Sequence, residues 1–336
     1  MPIRARILEI FPGLLLCAAI GLLAAGAERV EAGLLGYVYV DGLVLAILVG
    51  TLLHTIFGLS ERFQAGTQFS ARIVLEIAIV LLGGTISAAA IAASGLQLIA
   101  AIIGVVTVTL CASYGIGRLL GLDDRLATLV ACGNSICGNS AIMAAAPAIG
   151  APAQDVAAAI GFTAVLGILV VVLLPLSAPL LGLGEWQYGV VAGLSVYAVP
   201  QVLAATAPMG TLSTQIGTIV KLVRVLMLGP VVLAVGLRHG RKGGVRLPVS
   251  VLVPWFIVGF LLLMAARSSG LLPEAAVAPL TMASESLTLI AMAALGLSVD
   301  LRSILASGGR VLAAGALSIA LLVTLALLTV SLLPAA

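Results

Sequence analysis

The chain has 336 residues, 62% of them hydrophobic and 9% charged, with a formal net charge of +3 and a mean hydropathy of +1.29. Apolar runs of about twenty residues recur throughout, which places it among polytopic membrane proteins and excludes a separate soluble domain. Its positive residues are scattered over short loops rather than gathered into a nucleic-acid surface, and Cys17, Cys111, Cys132 and Cys137 lie in apolar segments without zinc-like spacing. Cys132 and Cys137 read as small packing residues.

The pattern predicts an all-α membrane domain over residues 1–336 with eleven spans, at 7–27, 38–58, 70–90, 95–119, 125–149, 154–181, 187–208, 212–237, 249–268, 277–299 and 309–333. Arg4 and Arg6 ahead of an apolar stretch ending Ala24-Ala25-Gly26-Ala27 resemble a signal peptide. Everything that follows is also membrane-like, so 7–27 is expected to stay as an extra first helix. With the N-terminus inside, the inner loops collect Arg4, Arg6, Arg62, Arg72, Arg118, Arg125, Arg238, Arg241, Lys242, Arg246, Arg302 and Arg310, against Arg29 and Arg267 outside. That asymmetry predicts a cytoplasmic N-terminus and a periplasmic C-terminus. A shift of 146 residues aligns Ile73-Val74, Ile79 and Leu82-Gly83 with Ile219-Val220, Val225 and Leu228-Gly229. Two five-span units, 38–181 and 187–333, would then be inverted repeats, a plan that puts substrate near the midplane.

Asp41 opens span two as a helix-start residue. His54, near its inner end, reads either as a proton relay or as an interfacial packing residue. In span five, Gly133-Asn134-Ser135-Ile136-Cys137-Gly138-Asn139-Ser140 repeats Gly-Asn-Ser within five residues, and a continuous helix would turn the copies roughly 500° apart. Two Asn and two Gly tolerate unwound backbone, so a helix broken here is expected, its second half offering N–H groups suited to an anion. Packing of small residues is the plainer alternative, but it calls for Gly, Ala or Ser rather than two Asn.

Span seven carries Tyr197-Ala198-Val199-Pro200-Gln201, where Pro200 would kink or unwind the helix. A shift of 147 sets His54 opposite Gln201. Along span eight, Thr214, Thr218, Lys221 and Arg224 form one stripe. Two cations three residues apart need an acid or a bound anion. Paired with Glu76 of span three or Glu285 of span ten they would be neutral and structural; unpaired, they would be counter-ions for an anionic substrate. Span ten, the repeat counterpart of span five, holds Ser284-Glu285-Ser286 and Thr288, with Thr281, Glu285 and Thr288 on one face. A carboxylate at membrane depth costs roughly 2.5–3.5 kcal/mol to insert. Glu285 could therefore bind Na+, carry a proton or neutralise a base. The basic Arg238–Lys242 loop is explained by anionic inner-leaflet lipid.

With these residues in hand, the chain resembles the bacterial YeiH-type inner-membrane proteins, a family labelled as sulfate exporters. The likeness runs over nearly the whole chain and rests on Gly133–Ile142 (GNSICGNSAI), the most specific, with Ser195–Gln201 (SVYAVPQ), Thr218–Arg224 (TIVKLVR), Pro254–Phe260 (PWFIVGF) and Met292–Leu297 (MAALGL). Tyr197 and Ala198 stand where many members carry His-Glu, so a carboxylate mechanism at that point does not transfer. The family is similar at a distance to the bile-acid/sodium symporters. That resemblance implies a core and a panel domain, two crossed broken helices matching spans five and ten, and movement of core against panel. It also implies a Na+ site, with Asn134 and Ser135 on the first broken helix and Glu285 on the second. Leu289 takes the place of an expected Gln there.

The resulting expectation is an ion-coupled secondary transporter of a small anion, sulfate, sulfonate or carboxylate, in the bacterial inner membrane, with Na+ or H+ as coupling ion and homodimerisation admitted. Asn134, Ser135, Cys137, Gly138, Asn139, Ser140, Gln201, Ser284, Glu285 and Thr288 would bind substrate or ion, and Lys221, Arg224 and Glu76 would set the charge. The rivals are a transporter of another organic solute, a passive channel, which would need a continuous polar pore, and an intramembrane enzyme. With two histidines, His54 and His239, and no HExxH, a histidine-rich metal site is excluded.

Overall fold

In lipid, every backbone N–H and C=O must find its partner inside the protein, and a helix achieves this within one segment. The computed structural model describes residues 3–35, 41–85, 95–239, 255–299 and 309–333, and all regular structure among them is helical. In chain order these are α1 (Ile3–Leu35), α2 (Gly42–Phe57), α3 (Glu61–Phe69), which passes through a π-helical turn at Ser70–Val74 into α4 (Leu75–Gly83), and α5 (Gly95–Leu119). Next come α6 (Asp124–Ser135), α7 (Asn139–Ile149), α8 (Ala153–Leu181), α9 (Glu185–Ser195), α10 (Val199–Thr206), α11 (Thr211–Leu226) and α12 (Leu228–Arg238). The last three are α13 (Trp255–Ser268), α14 (Glu274–Leu297) and α15 (Gly309–Leu332). Among the described residues, seven helical segments are long and apolar enough to cross a membrane, and three shorter apolar helices accompany them. Pro254 and the basic residues Arg241, Lys242, Arg246 and Arg302 lie outside the described residues.

The chain forms two compact units, Met1–Ala90 with Phe256–Arg302, and Ile91–Trp255 with Ser303–Ala336. In the first, α14 packs on α2 and α4, and the Ser284 hydroxyl donates to the Ala78 carbonyl at 2.8 Å. The expected break in span ten is absent: Glu274–Leu297 is one continuous helix. Its hydroxyls are satisfied without unwinding, since Thr281, Ser286 and Thr288 each donate to the carbonyl four residues back.

The second unit holds α5 to α12 and α15. Here the chain breaks twice. The first break separates α6 from α7 and turns at Gly138, whose φ of 64° and ψ of −123° no side-chain-bearing residue adopts readily. The second separates α9 from α10, where Val196 is extended (φ −77°, ψ 144°). Pro200, at the start of α10, has no N–H to continue α9. So the second broken helix is span seven rather than span ten.

At one end of this unit a polar cluster ties α5, α6 and α12 together. The Tyr114 hydroxyl donates to Asp124 Oδ1 (2.6 Å), His239 Nε2 lies 2.7 Å from Asp124 Oδ2, and the Arg238 guanidinium lies 4.2 Å from the centre of the Tyr114 ring. The Tyr114 hydroxyl, and after it His239 and Arg238, hold the Asp124 carboxyl below its ordinary value of 3.8. A depressed carboxylate stabilises the fold above its unfolded pKa and loses that contribution as pH falls through the folded one. Wild-type melting temperature is therefore expected to drop more steeply than that of Asp124→Asn between about pH 5 and about pH 3. Parallel slopes in thermal melts across that range would remove Asp124 from the account.

Candidate functional site

Breaking a helix orphans the carbonyls at its C-terminal end and leaves about half a negative charge there. In the second unit two such ends meet. At the end of α6, the Cys132 and Gly133 carbonyls are taken by the N–H groups of Ile136 and Gly138, which leaves Asn134, Ser135 and Ile136. Arg224 of α11 reaches these and the end of α9 together. Its Nε donates to Ser135 O (3.2 Å), Nη2 to Asn134 O (3.1 Å) and Ser135 O (2.9 Å), and Nη1 to Gly193 O (3.0 Å) and Val196 O (3.3 Å). All five guanidinium N–H groups thus find carbonyls. One turn earlier, Lys221 Nζ donates to Ile136 O (2.5 Å) and Val196 O (2.9 Å). Both side chains are wholly buried. Among the described residues neither forms an ion pair. Gly193 makes this reach feasible: a Cβ there would sit 2.6 Å from Gly217 O and 2.7 Å from Val220 Cβ, so α9 and α11 approach with backbone nearly touching.

The side chains knit the breaks further. The Tyr197 hydroxyl donates to Asn134 Oδ1 (2.9 Å), while Asn134 Nδ2 donates to Ser113 Oγ on α5 (3.3 Å). The Tyr197 ring meets Phe162 edge-on and lies over Gly138, where a Cβ would come within 3.2 Å of Tyr197 Cβ. At the start of α10, Gln201 Oε1 accepts from the Ala198 N–H (3.1 Å), the N3 half of a capping box. At the start of α7, Thr163 on α8 donates to Asn139 Oδ1 (2.5 Å). Asn139 and Ser140 are exposed while residues 131–138 are buried, so α7 begins where the packed break opens. Two helix C-termini contribute about one negative charge, and Lys221 and Arg224 are the basic groups that meet it.

A family described as Conserved hypothetical protein 698 matches residues 12–315. A UPF0324 membrane protein of Agrobacterium fabrum is 54% identical over 313 residues, covering 93% of this chain and 90% of that one. Another from Brucella melitensis is 55% identical over 316 residues, covering 94% and 88%. The chain belongs to the UPF0324 membrane-protein family. The likeness extends to Bacillus cereus, where a UPF0324 membrane protein is 34% identical over 276 residues, 81% of this chain and 78% of that one. These relatives are bacterial membrane proteins, as the sequence led us to expect. No solved structure matches the chain.

Within this UPF0324 protein, Asn134, Ser135, Cys137, Gly138, Asn139, Ser140, Gln201, Lys221 and Arg224 come together at the two breaks of one unit, whereas His54, Glu76, Ser284, Glu285 and Thr288 belong to the other. Glu76 sits 3.8 Å from Arg72 on its own helical segment. Ser284 and Thr288 bond to backbone carbonyls, Glu285 is exposed, and His54 is half-buried. Two site residues escaped the sequence reading, Ser113 and Thr163, because a lone hydroxyl in an apolar helix commonly bonds its own backbone. Among the described residues no group of three or more His, Cys, Asp or Glu could hold a metal ion.

Arg224→Met strips several buried carbonyls of their donors and is expected to lower unfolding free energy by about 3 kcal/mol or more. Arg224→Lys should fall between that variant and wild type, and Tyr197→Phe should cost about 1 kcal/mol. Denaturant unfolding in mixed micelles checks the order; Arg224→Met as stable as wild type would refute the capping role.

Proposed function

We propose that this protein is a secondary transporter of a small anion, of the sulfate, sulfonate or carboxylate class, with its site at the two helix breaks. One observation carries the reading: buried Lys221 and Arg224 close the carbonyl ends of both broken helices, while the amino end of α7 opens at exposed Asn139 and Ser140. Amino ends attract anions, and irregular backbone at membrane depth belongs where it is buried or lines a cavity. The unit holding the breaks would be the core, the other the panel, and alternating access would come from their relative movement. The tally of basic residues supports a cytoplasmic N-terminus in the bacterial inner membrane. Inverted repeats, eleven crossings, Na+ or H+ as coupling ion, and a homodimer complete the proposal.

Counterflow tests it. Proteoliposomes loaded with unlabelled sulfate should accumulate labelled sulfate saturably, and Asn139→Ala and Ser140→Ala should each raise the half-saturating concentration about tenfold, the loss of one good hydrogen bond. Uptake by sulfonate or dicarboxylate in place of sulfate would keep the reading and change the substrate. Folded protein that exchanges none of the three anions would end it.

A further inference from the structure

Ile136 and Val196 are the residues directly following the two broken half-helices, and their carbonyl oxygens point at a single nitrogen, Lys221 Nζ, at 2.5 and 2.9 Å. Unwound carbonyls and half-helix C-terminal ends are the donors with which transporters coordinate a coupling cation. We infer that this is a monovalent-cation site which the chain fills from within: the Lys221 ammonium is a tethered cation that makes the protein independent of external Na+ and leaves H+ of the two coupling ions proposed above.

Two further observations support this. Of the oxygens expected to hold Na+, Asn134 Oδ1 accepts from Tyr197, and the Asn134 and Ser135 carbonyls accept from Arg224. Ser135 Oγ is fully buried and, among the described residues, has no hydrogen-bond partner, so one more oxygen, next to Ile136 in the sequence, is left for a cation that replaces the ammonium. A side-chain ammonium presents one positive charge to the carbonyls as a dehydrated monovalent ion does, and its stem tethers it, so it is not exchanged for ions in solution.

The test separates this site from the transport reading, on which only its second arm rests. Full-length wild type, Lys221→Ala and Lys221→Met are purified in NaCl, KCl and choline chloride at equal ionic strength, and their thermal unfolding is compared. Alanine removes the ammonium and vacates its path; methionine removes the charge and keeps most of the volume. Wild type should melt alike in all three salts. Lys221→Ala should melt lower in choline and regain at least about 5 °C, saturably, in NaCl or KCl, a shift expected of a ligand bound to the folded state alone; Lys221→Met should fall and not recover. A Lys221→Ala protein that shows no cation-specific recovery, or that fails to fold in every salt, overturns the inference, as does saturable stabilisation of wild type by Na+ over choline. In the second arm, sulfate counterflow by wild type should be unchanged when choline replaces Na+, and Na+-dependent uptake would also overturn it. Absent counterflow in every salt counts against the transport reading, and the melting comparison still decides the cation site.

Discussion

Everything in the second unit depends on one interaction: buried cations of α11 bonded to the carbonyl ends of two interrupted helices. An interrupted helix in an apolar medium is untenable unless its exposed carbonyls are met, and water is not available to meet them. A guanidinium answers this well because its five N–H groups are fixed in a plane and fan outward. A single Arg can therefore serve two helix ends that approach from different directions. Carboxylates are unnecessary, since the helix ends themselves supply the compensating negative potential.

The arrangement segregates polarity. Each interrupted helix has a carbonyl end and an amino end; the former are sealed by Lys221 and Arg224, while at the latter the side chains of Gln201 and Asn139 take part in bonds that leave Ser140 in the open. Tyr197 ties one break to the other through Asn134, and Gly193 lets α11 lie close enough for short bonds. The first unit shows the contrasting solution, in which the polar residues of α14 bond back to helical carbonyls and the helix stays whole.

This difference explains how much could be read from the residues alone. Long uniform apolar runs declare themselves, and α5 spans the expected residues 95–119. Two Asn and two Gly within residues 133–140 announced a break because they tolerate unwound backbone, and Pro200 announced another because it lacks an N–H. The resemblance implied a break in span ten that does not exist, since Thr281, Ser286 and Thr288 are satisfied by the preceding turn. The partners of Lys221 and Arg224 were hidden for a different reason. A search for acids finds Glu76 and Glu285, but every residue has a carbonyl, and nothing in a pattern of side chains marks which carbonyls a tertiary fold will free.

The sequence separation of these bonds has a consequence for how the protein is made. Lys221 and Arg224 lie 85 to 90 residues beyond the α6 carbonyls they bind. At typical synthesis rates, that gap is roughly 4–18 s. Throughout that interval the first break has been synthesised without the groups that make it tolerable in a bilayer. The segment from α6 to α7 must therefore wait as an unbroken helix, or in the aqueous shelter of the insertion machinery, until α11 arrives. The first break is therefore closed only when α11 arrives, and α15, which also packs in this unit, is made later still.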